Sequence, residues 1–478
     1  VSLGALQELG MPLKAFPDMP EVEKDLEQVQ AMLSEKDLDA LYDLPEMTDP
    51  ARLQVMIFLN EVLPVAYFLG SNLIFQLGPK MIGWTLEHGN SSQAAVGYIY
   101  YATYTLTTIA KDFLGARDYG QFALRLNDEK YRDKVNEAML MNLWGGHISP
   151  YINPLREGKV KLLKGHHSGI EMGNYQWSGY CAINLICQDF WGPVSLTETT
   201  DRIAHLLPRL RKNDQNVAQY YYMTQACIWN LQTLEAGWPG RPPESVWPQS
   251  EAVVNRLEQA QDLTTLCCHF TGQLTLALLF SDDAHIMRYA EEVERTITGA
   301  TSIFLGTASL FYLSIALAMK ADPGDADMHT QIVGTLTAHL AQLEGWAQHA
   351  PFTCLHMSLL TRAELARITG QELEAMDLYD QAIASARKSS FKQNEAIANQ
   401  LAARYWLGRG KKPFAALYMQ QAWLCALHWG ANAVAAHIEE QYADLLMLAT
   451  PARSAGQPGG EAFTSTMIGG SGELDVQT

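Results

Sequence analysis

The stretch "GQELEAMDLYDQA" spans Gly370–Ala382, and forty residues further on, at Gly410–Ala422, the chain reads "GKKPFAALYMQQA". The two share the opening Gly, an Ala five places on, a Gln eleven on and the closing Ala. Within each copy the small and apolar positions fall at Ala375, Leu378 and Ala382, then at Ala415, Tyr418 and Ala422. Steps of three and four residues place them on one helical face. Alanine at two of the three positions means that a neighbouring helix approaches too closely for a larger side chain. The glycine that opens each copy sits where the preceding helix must stop, because it takes a left-handed cap at little cost. Pro413 follows three residues later, in a first helical turn where its missing N–H has no partner to lose.

Upstream of each glycine lies another helical pattern, "LLTRAELARIT" before Gly370 and "IANQLAARYWLGR" before Gly410. The unit is therefore helix, tight turn, helix, about forty residues long. One such hairpin cannot bury its apolar face alone, and stacking with the next one does. Weaker echoes occur upstream. "LFSDDAHIMRYAEEVERTITGA" has Ser281 in the glycine position, with Ile286 and Val293 in the alanine positions. "FLGARDYGQFALRL" keeps Gly115 and puts Gly120 at the first alanine position. The Gly-x4-Ala-x6-Ala frame resembles the tetratricopeptide repeat, whose usual unit of about 34 residues is shorter. Strand signals are scarce. The expected fold is all-α, an α-solenoid (superhelix) of TPR-like helix hairpins over residues 1–449, with an irregular helical bundle as the plainer alternative. A sub-boundary is expected at the Pro-rich loop 235–249, and residues 450–478, rich in Gly, Ser and Thr, read as a flexible linker toward a downstream module.

Composition narrows the function. The chain has 478 residues, 48% hydrophobic and 18% charged, enough to bury a large core. Lys and Arg number 34 against 52 Asp and Glu, a formal net charge of −18. That balance repels a phosphate backbone, so no nucleic-acid partner is expected. The basic run "REGKVKLLKGHH" (Arg156–His167) lacks interleaved aromatics and reads as a solvated helix face. Seven cysteines without a Cys-x-x-Cys read as buried thiols of a cytoplasmic protein. The start at Val1, with no signal-peptide pattern, reads as a segment of a longer protein. Two uncharged stretches, Thr301–Met319 and Gln93–Ala110, are too rich in Thr, Ser, Tyr and Gly for a bilayer and read as interior helices, so no membrane role is expected.

Five blocks occur in order: "LPEMTDPARLQVMIFLNEVLPVAYF" (Leu44–Phe68), "SGIEMGNYQWSGYCA" (Ser168–Ala182), "GWAQHAPFTCLHMSLLTRAELARITG" (Gly345–Gly370), "NEAIANQLAARYWLGRG" (Asn394–Gly410) and "ALHWGANA" (Ala426–Ala433). Together they resemble the long helical region of very large signalling proteins that join a serine/threonine kinase-like domain, an AAA-type ATPase, a GAF domain and a sensor histidine kinase. The resemblance implies a place after the ATPase and before the GAF domain, in a parent with kinase and ATPase activities of the two-component kind. None of the catalytic motifs of such domains occurs in this chain, so no residue is nominated as catalytic, cofactor-binding or metal-ligating. "GGSGE" (Gly469–Glu473) lacks the lysine and the preceding strand of a phosphate loop.

The remaining polar residues have structural readings. His166 and His167 are adjacent, and neighbouring helical side chains diverge by about 100°. His349 and His356 flank a family-like block, and Glu61, Glu171 and Asp189 lie in apolar helical contexts that suit caps or ion pairs. Three functions follow. The first is a non-catalytic scaffold or relay between ATPase and histidine-kinase modules, with the neighbouring kinase, ATPase and GAF domains as partners. The second is a sensor whose concave face binds a small molecule or peptide, marked by clustered Tyr and Trp with a convergent acid or Arg. The third is an α/α-barrel hydrolase, which needs two carboxylates from different helices facing one cleft.

Overall fold

The computed structural model describes residues 2–213, 215–234, 240–322 and 324–449. The proposed linker 450–478 and part of the Pro-rich loop lie outside them. Among the described residues the fold is all helical: α-helices follow one another from Ser2–Glu8 to Ala443–Ala449, and no strand forms beyond one isolated bridge, Glu46 with Asn90. Acidic residues start many of these helices. Asp18, Asp37, Asp49, Asp112, Asp133, Asp262, Asp282 and Asp325 each accept a backbone N–H of the first turn. Each such cap stabilises its helix by about 1 kcal/mol.

The C-terminal hairpins follow the sequence frame closely. The left-handed residues are Gly370 (φ 76°), Ser390 (φ 64°), Gly410 (φ 70°) and Gly430 (φ 94°), twenty residues apart at each step. Between them run the helices Glu372–Lys388, Lys392–Gly408 and Lys412–Trp429. Each turn closes in the same way, through Gln371 N–H to Ala366 O (2.8 Å), Phe391 N–H to Ala386 O (3.0 Å), Lys411 N–H to Trp406 O (3.0 Å) and Ala431 N–H to Ala426 O (2.8 Å). The forty-residue period is thus two twenty-residue helix-plus-turn steps. Ala375, Ala382, Ala415 and Ala422 are all buried. Successive copies are tied by the Tyr418 hydroxyl donating to Asp380 (2.6 Å). The upstream echo at Ser281 has the same turn, with φ 52° and Ile286 and Val293 buried. The echo at Gly115 does not: Gly115 lies inside the first turn of Phe113–Arg125, where Asp112 caps its N–H, and the left-handed residue is Lys111.

Apolar side chains gather in two large cores, one from Leu6 to Ile148 and the other from Leu155 to Leu445. In the second, the helices Leu263–Leu279, Phe304–Lys320, Pro351–Ile368 and Lys392–Gly408 touch in a closed cycle. The Tyr312 hydroxyl donates to Asn394 Oδ1 (2.8 Å), the Asn394 amide donates to His356 Nε2 (2.8 Å), and Gln400 donates to Leu279 O (3.0 Å). The hairpins also fold back on a distant loop, through Gln393 to Gly192 O (2.8 Å) and Trp429 to Val194 O (3.0 Å). Besides neighbour-to-neighbour packing, buried amides thus join helices far apart in the chain.

Both uncharged stretches are interior. Phe304–Lys320 is buried along most of its length, as is the run from Ala94 to Thr107. Among the described residues, one helix is long and apolar enough to cross a membrane, Pro50–Phe68, with 33% of its most apolar window buried. Three consecutive helices, from Ser92, Phe113 and Lys134, widen into π-helical turns at Tyr101–Ala110, Leu126–Tyr131 and Leu143–Ile148.

Candidate docking surface

The polar residues that stood out in the sequence take structural places. His166 is buried, with Nδ1 beside Ser178 Oγ (3.0 Å), while His167 is exposed, so the pair shares no ligand. His349 packs on the Phe113 ring at 5.3 Å. His356 packs on Phe391 at 4.4 Å within the Tyr312–Asn394 network, and burial pushes its pKa down to about 3. Glu61 and Glu171 are exposed. Asp189 is fully buried and bound by Lys159 (2.9 Å) and Arg202. Other buried carboxylates are bound as well: Glu137 by Lys134 and Lys164, Glu364 by Arg367, and Glu395 by Arg387 and Lys392.

Charged side chains line a funnel where the C-terminal ends of the 304–320, 351–368 and 392–408 helices meet. Lys320, Arg367, Arg404 and Arg409 sit there with Asp283 and Glu364. Helix C-termini attract cations, and Arg367 donates to Ala318 O (2.8 Å) in that way. Most of the charge is already paired: Arg367 with Glu364, Arg404 with Asp283 (2.9 Å) and Arg409 with Glu372 (2.9 Å). Asp283 and Glu364 are carboxylates from different helices in one cavity, the arrangement a hydrolase would require. Each is held by an arginine, Glu364 by Arg367 and Asp283 by Arg404.

The outer face of the hairpins is different. On Lys412–Trp429, Phe414 is 50% and Leu417 55% exposed, one turn apart, and Leu373 on the neighbouring 372–388 helix is 79% exposed. Phe414 stacks on Trp406 at 4.9 Å, which holds its ring in place at the surface. Leu373, Phe414 and Leu417 thus present large apolar side chains to solvent, off the buried register of the hairpins. Sequence reasoning passed over these residues because the frame Gly-x4-Ala-x6-Ala marks only the inward face. Pro413 and Phe414 stand next to each other in the quoted copy, and a large apolar residue off the buried register was the available signal.

No protein-family model matches the chain. Over 170 residues it is 24% identical to a protein of Dictyostelium discoideum, "Hybrid signal transduction histidine kinase G". The match takes in 36% of this chain and 5% of that protein. The chain is therefore similar, over about a third of its length, to a small part of a signalling histidine kinase.

Proposed function

We propose that this chain is a non-catalytic relay segment of a multidomain signalling kinase, a TPR-like superhelix that docks neighbouring ATPase, GAF and histidine-kinase domains in the cytoplasm. The observation that carries this reading is the outer apolar face at Leu373, Phe414 and Leu417 on an otherwise strongly acidic chain. The likeness to part of a histidine kinase supports the signalling context. Long-range bonds from the hairpins to residues 192 and 194 support the relay, since a push on the outer helices reaches the middle of the chain through packed side chains.

The double substitution Phe414→Ser with Leu417→Ser, made in the longer parent protein, tests the reading. Both side chains are half exposed, so the fold should survive with a loss under about 1 kcal/mol. Covering two such side chains stabilises a contact by about 2–3 kcal/mol in all, so signal-dependent histidine autophosphorylation should fall by roughly tenfold or more. Unchanged autophosphorylation in a variant that melts normally would remove this face from the relay.

A further inference from the structure

A cavity of about 70 Å3, open at its mouth, lies on the seam between the two cores. One wall comes from the first core (Leu63, Tyr67, Tyr104) and the other from the second (Ile183, Tyr220). The lining is aromatic and aliphatic, and it contains no Asp, Glu, Lys or Arg. Four polar side chains converge on it.

Tyr104 lines the cavity and is 2% exposed. His147 is 5% exposed, and Ser302 Oγ engages its Nδ1 at 3.0 Å. Asn184 donates to Asn142 Oδ1 (3.1 Å), which leaves the Asn142 amide as a spare donor and Asn184 Oδ1 as a spare acceptor. Polar groups set at fixed points in an otherwise apolar lining describe a place for a hydrogen-bonding guest. The backbone is shaped for it. Tyr104 and His147 both ride on π-helical turns, which recur at binding sites because they redirect side chains. Gly146 has the Asn184 amide where a Cβ would stand, at 2.5 Å.

We propose that this seam cavity binds a small, uncharged, largely apolar molecule that carries a hydroxyl, carbonyl or amide group. Charge is disfavoured because a buried ion would find no counter-ion in the lining. Burial keeps His147 neutral, with its pKa pushed down to about 3, so it supplies no positive charge either. Walls from both cores mean that an occupant bridges them and stabilises their present arrangement. This inference stands whether or not the relay reading holds.

Para-ethylphenol is a suitable probe, titrated into the chain by calorimetry beside ethylbenzene, para-ethylbenzoate and para-ethyl-trimethylanilinium. The phenol should bind saturably at one site, and both ions should bind roughly tenfold or more weakly. Tyr104→Phe removes one oxygen and should weaken the phenol about tenfold while changing ethylbenzene little. Ile183→Trp should fill the space and abolish binding. The Tyr104→Phe result stands alone if Ile183→Trp folds poorly. No saturable phenol binding, equal binding of either ion, or phenol binding indifferent to Tyr104→Phe would each overturn the proposal.

Discussion

Lowering the pH from about 7 to about 5 is expected to destabilise the fold by about 4–6 kcal/mol. Histidines held neutral by burial carry the effect, His147, His269 and His356 foremost, with His166, His339 and His437 lowered in the same direction. Burial pushes His147 and His356 to about 3 and His269 to about 4. An unfolded histidine titrates near about 6.5, so below that pH the unfolded chain takes up protons that the folded chain refuses. Stability is therefore complete above the unfolded value and is lost as pH falls toward the folded values, by about 2 kcal/mol per histidine at about pH 5. Glu137 extends the loss at lower pH. Burial alone would raise it, but hydrogen bonds from Lys164, Ser168 and Lys134 hold it at about 2, so protonation disrupts it below the ordinary carboxylate range. Acidification also relieves repulsion in a chain of net charge −18, which acts in the opposite direction. Surface repulsion is screened beyond about 8 Å at physiological salt, whereas the histidine cost is local and unscreened, so the histidines should win. Denaturant titrations at the two pH values measure the difference. Equal stability at both would show that water reaches these rings.

Ala382→Leu is expected to cost about 1–3 kcal/mol, and Gln381→Leu less than about 0.5 kcal/mol. Ala382 is buried on the 372–388 helix, which packs between the helices on either side of it, while Gln381 is exposed. Three additional heavy atoms at position 382 have no room unless those helices separate, and a close-packed interior resists that. Urea unfolding of the two variants gives the comparison directly. Equal costs would mean that the inward register is wrong.

The same pair of residues shows how far the sequence could be read. Gly370, Gly410 and the alanines between them were legible because a left-handed turn and a close crossing each demand a particular residue type. Ser390 was not, although its turn is the same, because serine carries no comparable signature. The true step of twenty residues therefore read as forty. Ser281 was recognised in spite of its side chain because Ile286 and Val293 stood at the right distances. The π-helical turns were hidden for another reason. In a segment such as Tyr101–Thr107 every side chain is buried, and a run with no polar face has the same appearance for either helix type. The closing of four helices around Tyr312, Asn394 and His356 was also invisible, since periodicity fixes which face turns inward and says nothing about curvature. The seam cavity draws on residues from Leu63 to Ile303, each of which reads singly as core.

The relay account is tested most directly by hydrogen–deuterium exchange over Glu372–Lys388 and Lys412–Trp429, measured in this chain alone and in the longer parent. If Leu373, Phe414 and Leu417 form a docking face, amides in the first turns of these two helices should exchange roughly tenfold or more slowly in the parent, because docking opposes local opening. Protection confined to other helices, or identical exchange in both proteins, would contradict the account.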